Sequence, residues 1–210
     1  MAASVRPKRQ ESKKGLRQQL PESLWRITVS QYHEMIRAGI LTADDPVELI
    51  EGWLFRKIPK NPPHTVASRR LRRCLMPLLP ENLELISQDP ITLERFDSEP
   101  EPDFAIVSSV SSNSVDSHPT AKDTQLVIEV SHTTLANDLT DKKALYAKAG
   151  FPVYWVVNLV DSQIEVFTHP SRSAKVPTYR THQVFGPQQK VPVVLNGKRA
   201  GFVLVADVLP

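Results

Sequence analysis

Three charged residues stand where charge is expensive or chemically useful. Gln125–Val130 is a short apolar run of strand type, with Glu129 near its end. A carboxylate in a buried strand is costly unless it is paired or holds a metal. Asp103 closes the triplet Glu101-Pro102-Asp103, directly ahead of the apolar Phe104-Ala105-Ile106-Val107. Lys142 lies in a helix-like stretch from Asp138 to Tyr146. Two strand-borne carboxylates and a following lysine suit magnesium-dependent phosphodiester cleavage, because Mg²⁺ takes oxygen ligands, usually one or two carboxylates with water and phosphate. Each residue also has a plainer explanation. Asp103 fits a strand-end cap or turn, Glu129 an ion pair with a buried arginine, and Lys142 an i,i+4 pair with Asp138.

The elements that must position these residues read as follows. Thr28-Val29-Ser30-Gln31 has the pattern of a capping box, followed by Tyr32, Met35 and Ile36 at helical spacing and Gly39 as a stop. Val47–Ile50 and Trp53–Ile58 are strand-like around Glu51-Gly52, a tight hairpin signal. Glu48 sits on the first of these strands, where alternation alone could turn it to solvent, and Glu51 reads as a turn residue. The run from His64 to Leu79 is helical: Ala67, Leu71, Cys74, Leu75 and Leu78 share a face, and Arg69, Arg70, Arg72 and Arg73 lie on the other side. His64 opens this helix, and the arginines read as a solvated face with a DNA-backbone contact as the rival reading. Leu83–Ser87 and Ile91–Arg95 read as strands. Ser108 to Asp123 reads as a long loop beside the site. A helix over 138–149 ends cleanly at Gly150 and Pro152. Val153–Val157 and Gln163–Phe167 pair as strands, and short strands follow around 178–184, 190–195 and 202–204. Tyr146, Tyr154 and Trp155 read as core or rim aromatics.

The 210 residues suit one domain, expected over 25–210 behind a basic tail at 1–24. The net charge of +3 is a property of that tail. Residues 1–20 carry Arg6, Lys8, Arg9, Lys13, Lys14 and Arg17 against Glu11, while the other 190 residues hold 20 bases and 22 acids. Such a tail suits disorder or nonspecific binding to polyanions. Cys74 is alone, which removes an internal disulfide and a cysteine-rich zinc site and fits a reducing cytoplasm. No apolar run is long enough to span a membrane, and no signal peptide is expected.

The combination of Glu101-Pro102-Asp103, Val127-Ile128-Glu129-Val130-Ser131 and Asp138-x3-Lys142-x3-Tyr146-x3-Gly150-x-Pro152-x-Tyr154-Trp155 resembles the Uma-two family of putative restriction endonucleases in bacteria, a branch of the PD-(D/E)XK nuclease superfamily. Val47-Glu48-Leu49-Ile50-Glu51-Gly52 and His64 extend the resemblance, which takes in roughly residues 26–185. It implies an α/β fold: a restriction-endonuclease-like mixed β-sheet flanked by helices, with additional β-hairpins and the metal site at one edge. It implies Asp103 and Glu129 as the acids that hold Mg²⁺, with Mn²⁺ able to substitute, and the Val130 carbonyl as a third ligand. In many relatives a lysine stands two residues after the second acid, where this chain has Ser131; here Lys142 on the following helix takes that role. Glu48 and His64 match further polar positions around the site. His132, Asn137 and Asn158 depart from commoner residues, and none of them removes an expected ligand.

The function implied is a cytoplasmic, metal-dependent endonuclease acting on DNA, with no membrane partner and with a homodimer open. The rival reading is a catalytically silent nuclease-fold module that binds nucleic acid, associated with a mobile element or toxin-like system. A small-molecule hydrolase finds no support: there is no Ser-His-Asp arrangement and no Gly-x-Ser-x-Gly.

Overall fold

A computed structural model of the chain describes residues 24–172 and 177–210. The basic segment 1–20, and with it the expected tail up to residue 23, lies outside the described residues. The first element is helix α1 (Val29–Arg37), entered through the capping box read in the sequence: the Gln31 N–H donates to Thr28 Oγ1 and the Thr28 N–H to Gln31 Oε1. Strands β1 (Val47–Ile50) and β2 (Trp53–Arg56) pair antiparallel, Ile50 opposite Trp53. Glu51 and Gly52 between them both have positive φ, 48° and 82°, as a two-residue primed turn requires. Helix α2 (Pro62–Leu75) starts at Asn61, whose side chain accepts the His64 N–H, with prolines at the first two helical positions.

A six-stranded sheet follows, built from β3 (Leu83–Ile86), β4 (Phe104–Ser108), β5 (Thr124–Ser131), β6 (Val153–Asn158), β7 (Gln163–Ser171) and β8 (Thr178–Phe185), in that spatial order. The β5–β6 pair is parallel and all others are antiparallel. A parallel pair needs a crossover. It is supplied by the short helices α4 (Leu135–Asn137) and α5 (Lys143–Ala149), joined by a π turn over Asp138–Lys142; between β4 and β5 lies the one-turn helix α3 (Ser109–Ser112). Strands β9 (Lys190–Leu195) and β10 (Lys198–Leu204) form a second hairpin, followed by α6 (Val205–Val208). The expected mixed sheet with flanking helices and extra hairpins is therefore present. Among the described residues, no helix is long and apolar enough to cross a membrane.

Two apolar cores sandwich the sheet. Leu126, Ile128 and Val130 of β5 face α2, α6 and the β9–β10 hairpin, while Val127 faces α5. Alternation puts Glu129 on the Val127 side, inside the sandwich. Three expectations need correction. Ile91–Arg95 is not a strand: the Ile91 and Leu93 N–H groups go to the Pro100 and Ser98 carbonyls of the following segment and the Thr92 N–H to the Pro119 carbonyl of another loop, and Glu94–Phe96 is a 3₁₀ turn. The helix expected over 138–149 is not continuous α-helix, because its first five residues widen into the π turn. The loop 108–123 does not border the site. It leaves the far end of β4, five residues and about 16 Å from Asp103 at ~3.3 Å per strand residue.

Candidate active site

The two strand-borne acids are neighbours, and each is held by the backbone of the other's segment. The Val130 N–H donates to Asp103 Oδ2 at 2.9 Å, and the Asp103 N–H points to Glu129 Oε2 at 3.4 Å. This crossing follows from topology. Asp103 immediately precedes β4, Phe104 pairs with Ile128, and so Asp103 lies beside the end of β5 where Glu129 and Val130 sit. The two backbone polar groups of a strand residue leave by the same edge. The Val130 carbonyl therefore also faces the Asp103 side and not β6.

Lys142 completes the group. Its Nζ lies 3.1 Å from Glu129 Oε1 and 3.3 Å from Glu48 Oε1, and the residue is only 8% exposed. The plainer explanation, an i,i+4 pair with Asp138, is not what its short ion pairs serve. Lys143 points elsewhere, over the Phe167 ring at 5.2 Å. The π turn brings both Asp138 and Lys142 inward; such single π turns recur at functional sites. Glu48, which alternation could have sent to solvent, is buried, and its Oε2 accepts the Glu101 N–H at 3.1 Å. His64, in the first turn of α2, places Nε2 3.0 Å from Asp103 Oδ2, and Ser68 Oγ stands 3.4 Å from its Nδ1. All five expected side chains thus line one cleft of about 760 Å³. One wall is the segment from Phe55 to His64. The other runs from His132 to Lys142.

Charge in this cleft is governed by burial. It pushes the Glu129 carboxyl up to about 8, with Lys142 opposing and Asp138, Asp103 and Glu48 adding to the rise. Burial also pulls on Lys142, but Glu129, Glu48 and Asp138 outweigh it and hold the amine well above its ordinary value, so it stays an ammonium. Asp103 goes the other way. Burial raises it, yet the hydrogen bond and charge of His64, the Val130 N–H and Lys60 together hold it below the usual carboxylate value. With Asp103 ionised, His64 carries its proton on Nε2 and donates it to Oδ2.

Three participants escaped the sequence. Tyr146, read there as core or rim, donates its hydroxyl to Glu129 Oε1 at 2.8 Å from beneath the site. Asp138 is buried and accepts from Ser131 Oγ and Thr134 Oγ1 at 2.7 and 2.6 Å. Lys60 stands 3.3 Å from Asp103 Oδ1. Tyr146 follows Lys142 by four residues, which was a usable signal; Lys60 offered none, being one of several lysines in a proline-rich loop. The arginines of α2 lie elsewhere. Arg69 and Arg73 sit about 140° and 180° around the helix from His64, at ~100° per residue.

The donors fit a hard divalent cation in chemistry: carboxylates and a carbonyl, with room for water. Among the described residues no three metal-ligating side chains are drawn tightly enough to enclose an ion by themselves. Lys142 lies between Glu129 and Glu48 and Lys60 stands against Asp103, and the two neutralise the acids in part.

Residues 29–199 match the Uma2 family, described as putative restriction endonucleases. No curated protein matches the chain significantly. Among solved structures, the fold is similar to a crystal structure of a putative nuclease belonging to DUF820 from Anabaena variabilis ATCC 29413, with a TM-score of 0.58 at 15% identity, over 87% of this chain and 97% of that one. At that identity the likeness speaks for the fold alone. The family match spans most of the chain, from α1 to β10, and takes in every side chain gathered in the cleft; this protein belongs to the Uma2 family of putative restriction endonucleases.

Proposed function

We propose that the cleft is the active site of a metal-dependent endonuclease that hydrolyses DNA phosphodiester bonds. One observation carries the proposal: Asp103 and Glu129 are interlocked through each other's backbone, and Lys142 is fixed on Glu129. Burying Glu129, Glu48 and Asp138 around one ammonium opposes folding, and ionisable groups perturbed in this way cluster at functional sites.

Asp103, Glu129 and the Val130 carbonyl would hold Mg²⁺, or Mn²⁺ in its place. The ion when bound supplies a Lewis acid that lowers the pKa of water and neutralises charge on the scissile phosphate. The chain's own groups do the rest. His64 and the Val130 N–H fix Asp103 Oδ2, which leaves Oδ1 directed at the cleft. Tyr146 and Lys142 both fix Glu129 Oε1. The Lys142 ammonium, held between Glu129 and Glu48, is placed to stabilise negative charge that grows on the phosphoryl oxygens or to orient the attacking water. Glu48 holds Lys142 in place and His64 orients Asp103; both are positioning residues in this scheme.

The test is cleavage of plasmid and short duplex DNA with Mg²⁺ or Mn²⁺ by the wild-type protein beside D103N, E129Q and K142M. Wild-type cleavage and inert, folded variants support the proposal. An inert wild type that still binds DNA points to the silent binding module, and a fully active E129Q removes the assignment of the site.

A further inference from the structure

The open corner of Asp103 is occupied by a lysine. Oδ2 is taken by the Val130 N–H and by His64, both from rigid elements. Oδ1 faces Lys60 Nζ at 3.3 Å. The two lysines near the acids differ in kind. Lys142 is buried between two carboxylates at the floor of the cleft. Lys60 stands on the rim, a third exposed, on the turn between β2 and α2. Pro59 within that turn and Pro62 and Pro63 at the start of α2 restrict the backbone on either side of Lys60, while its four-carbon stem can swing. Lys57, on the same wall, is engaged by Glu101 at 2.7 Å.

We propose that Lys60 is the phosphate-binding lysine of the cleft, docked on Asp103 as a stand-in cation and released to the nucleic-acid backbone when a divalent cation takes Asp103. This rests on the reading of Asp103 as a metal ligand. A cation at Oδ1 and an ammonium 3.3 Å from the same oxygen repel one another, so one displaces the other. The displaced ammonium stays within a side chain's length of the cleft, and an incoming phosphodiester is the anion that re-pairs it. Cation and phosphate then bind cooperatively through one side chain, and neither binds Asp103 and Lys60 at full strength alone.

Calorimetry with Mn²⁺ on the protein alone, and anisotropy of a fluorescein-labelled DNA duplex with EDTA or with Ca²⁺, test this on wild type, K60M and K60R. K60M keeps the stem and loses the charge. Its Mn²⁺ affinity is expected to rise roughly five- to tenfold, while the gain in duplex affinity that Ca²⁺ confers shrinks roughly fivefold or more. K60R, which keeps the charge, should retain most of that gain. Unchanged or weaker Mn²⁺ binding by K60M, with the full Ca²⁺-dependent gain, overturns the inference and leaves the proposed site standing. If wild type takes up no Mn²⁺, or takes it up equally as D103N, the site assignment falls and the role of Lys60 falls with it.

Discussion

The buried Glu129 makes a prediction that separates stability from activity. Its carboxyl ordinarily titrates at 4.5 and in the folded protein is pushed up to about 8. Between those two values the folded state holds a proton that the unfolded chain has released, so stability is fully present below 4.5 and falls as pH rises through the window to about 8. At ~1.36 kcal/mol per pH unit, the loss between about pH 5.5 and about pH 8 is on the order of 3 kcal/mol as a ceiling. For a domain of this size that is ~6–12 °C in Tm, at about 2–4 °C per kcal/mol. Asp138, also raised by burial, adds a slope of the same sign. Asp103 has the opposite sign, and its contribution is lost only in acid, as pH falls below its ordinary 3.8. The change E129Q keeps the shape and removes the titration. Thermal unfolding in EDTA should show wild type losing Tm from about pH 5.5 to about pH 8 and E129Q losing several degrees less, while E129Q is the variant with no cleavage. Slopes for the two proteins that agree within ~2 °C over that range refute the claim that Glu129 holds its proton at neutral pH.

Further expectations concern neighbouring groups. K142M should abolish cleavage with Mn²⁺ uptake little changed, whereas K143M, whose target sits over Phe167, should cleave like wild type; the reverse result exchanges the two lysines. Tyr146→Phe removes a donor to the charged form of Glu129, so the pH profile of cleavage should move to the alkaline side, and an unmoved profile dismisses the hydroxyl as structural. Gly52→Ala places a Cβ 2.7 Å from Arg26 Cβ at a φ of +82° and should cost about 1–3 kcal/mol in urea unfolding. Deleting residues 1–20, which carry six bases and one acid, should flatten the dependence of duplex binding on salt by a few units of log K per log salt, at about 0.9 per phosphate contact, and spare cleavage at saturating DNA.

The site was legible in the sequence where a charge broke an apolar run. Glu129 directly after Leu126-Val127-Ile128 and Asp103 ahead of Phe104 were visible because alternation and burial leave no cheap place for a carboxylate there. The Glu51-Gly52 hairpin and the Thr28–Gln31 capping box were legible because their chemistry is local. What sequence could not supply depends on partners far along the chain. The Tyr146 hydroxyl, Lys60 and the burial of Glu48 acquire meaning only once residues 48, 60, 103, 129 and 146 are brought together. The failure at Ile91–Arg95 has the same origin: its pattern is that of a strand, but its N–H groups are claimed by two separate segments, around 98–100 and at 119. The π turn has no composition signal of its own. The Tyr154 hydroxyl reaches the Asp138 carbonyl within it from the next strand.

The cleft is assembled from three parts of the chain, and its integrity rests on how one of them docks. Asp103 and Glu129 are set by the sheet and Lys142 by the crossover after β5. Glu48 comes from the β1–β2 hairpin, which pairs with none of the six strands of the main sheet. The hairpin is moored instead by the Glu99 N–H to the Leu49 carbonyl and the Gly52 N–H to the Asp97 carbonyl, both at 2.7 Å. The fully buried Ser98 hydroxyl accepts the Glu51 N–H, and Lys148 of α5 pairs with the Glu51 carboxylate at 3.1 Å. Lys148 lies on the same helix that packs Tyr146 under Glu129. Moving the hairpin would therefore withdraw Glu48 from Lys142 and leave that ammonium with Glu129 as its short ion pair. Stronger pairing would pull Glu129 toward its charged form and tie down the amine that the proposed chemistry uses. On this argument Glu48 serves by dividing the attraction of Lys142 between two acids, and the turn residue Glu51, which is not among the residues lining the cleft, sustains that balance through Lys148.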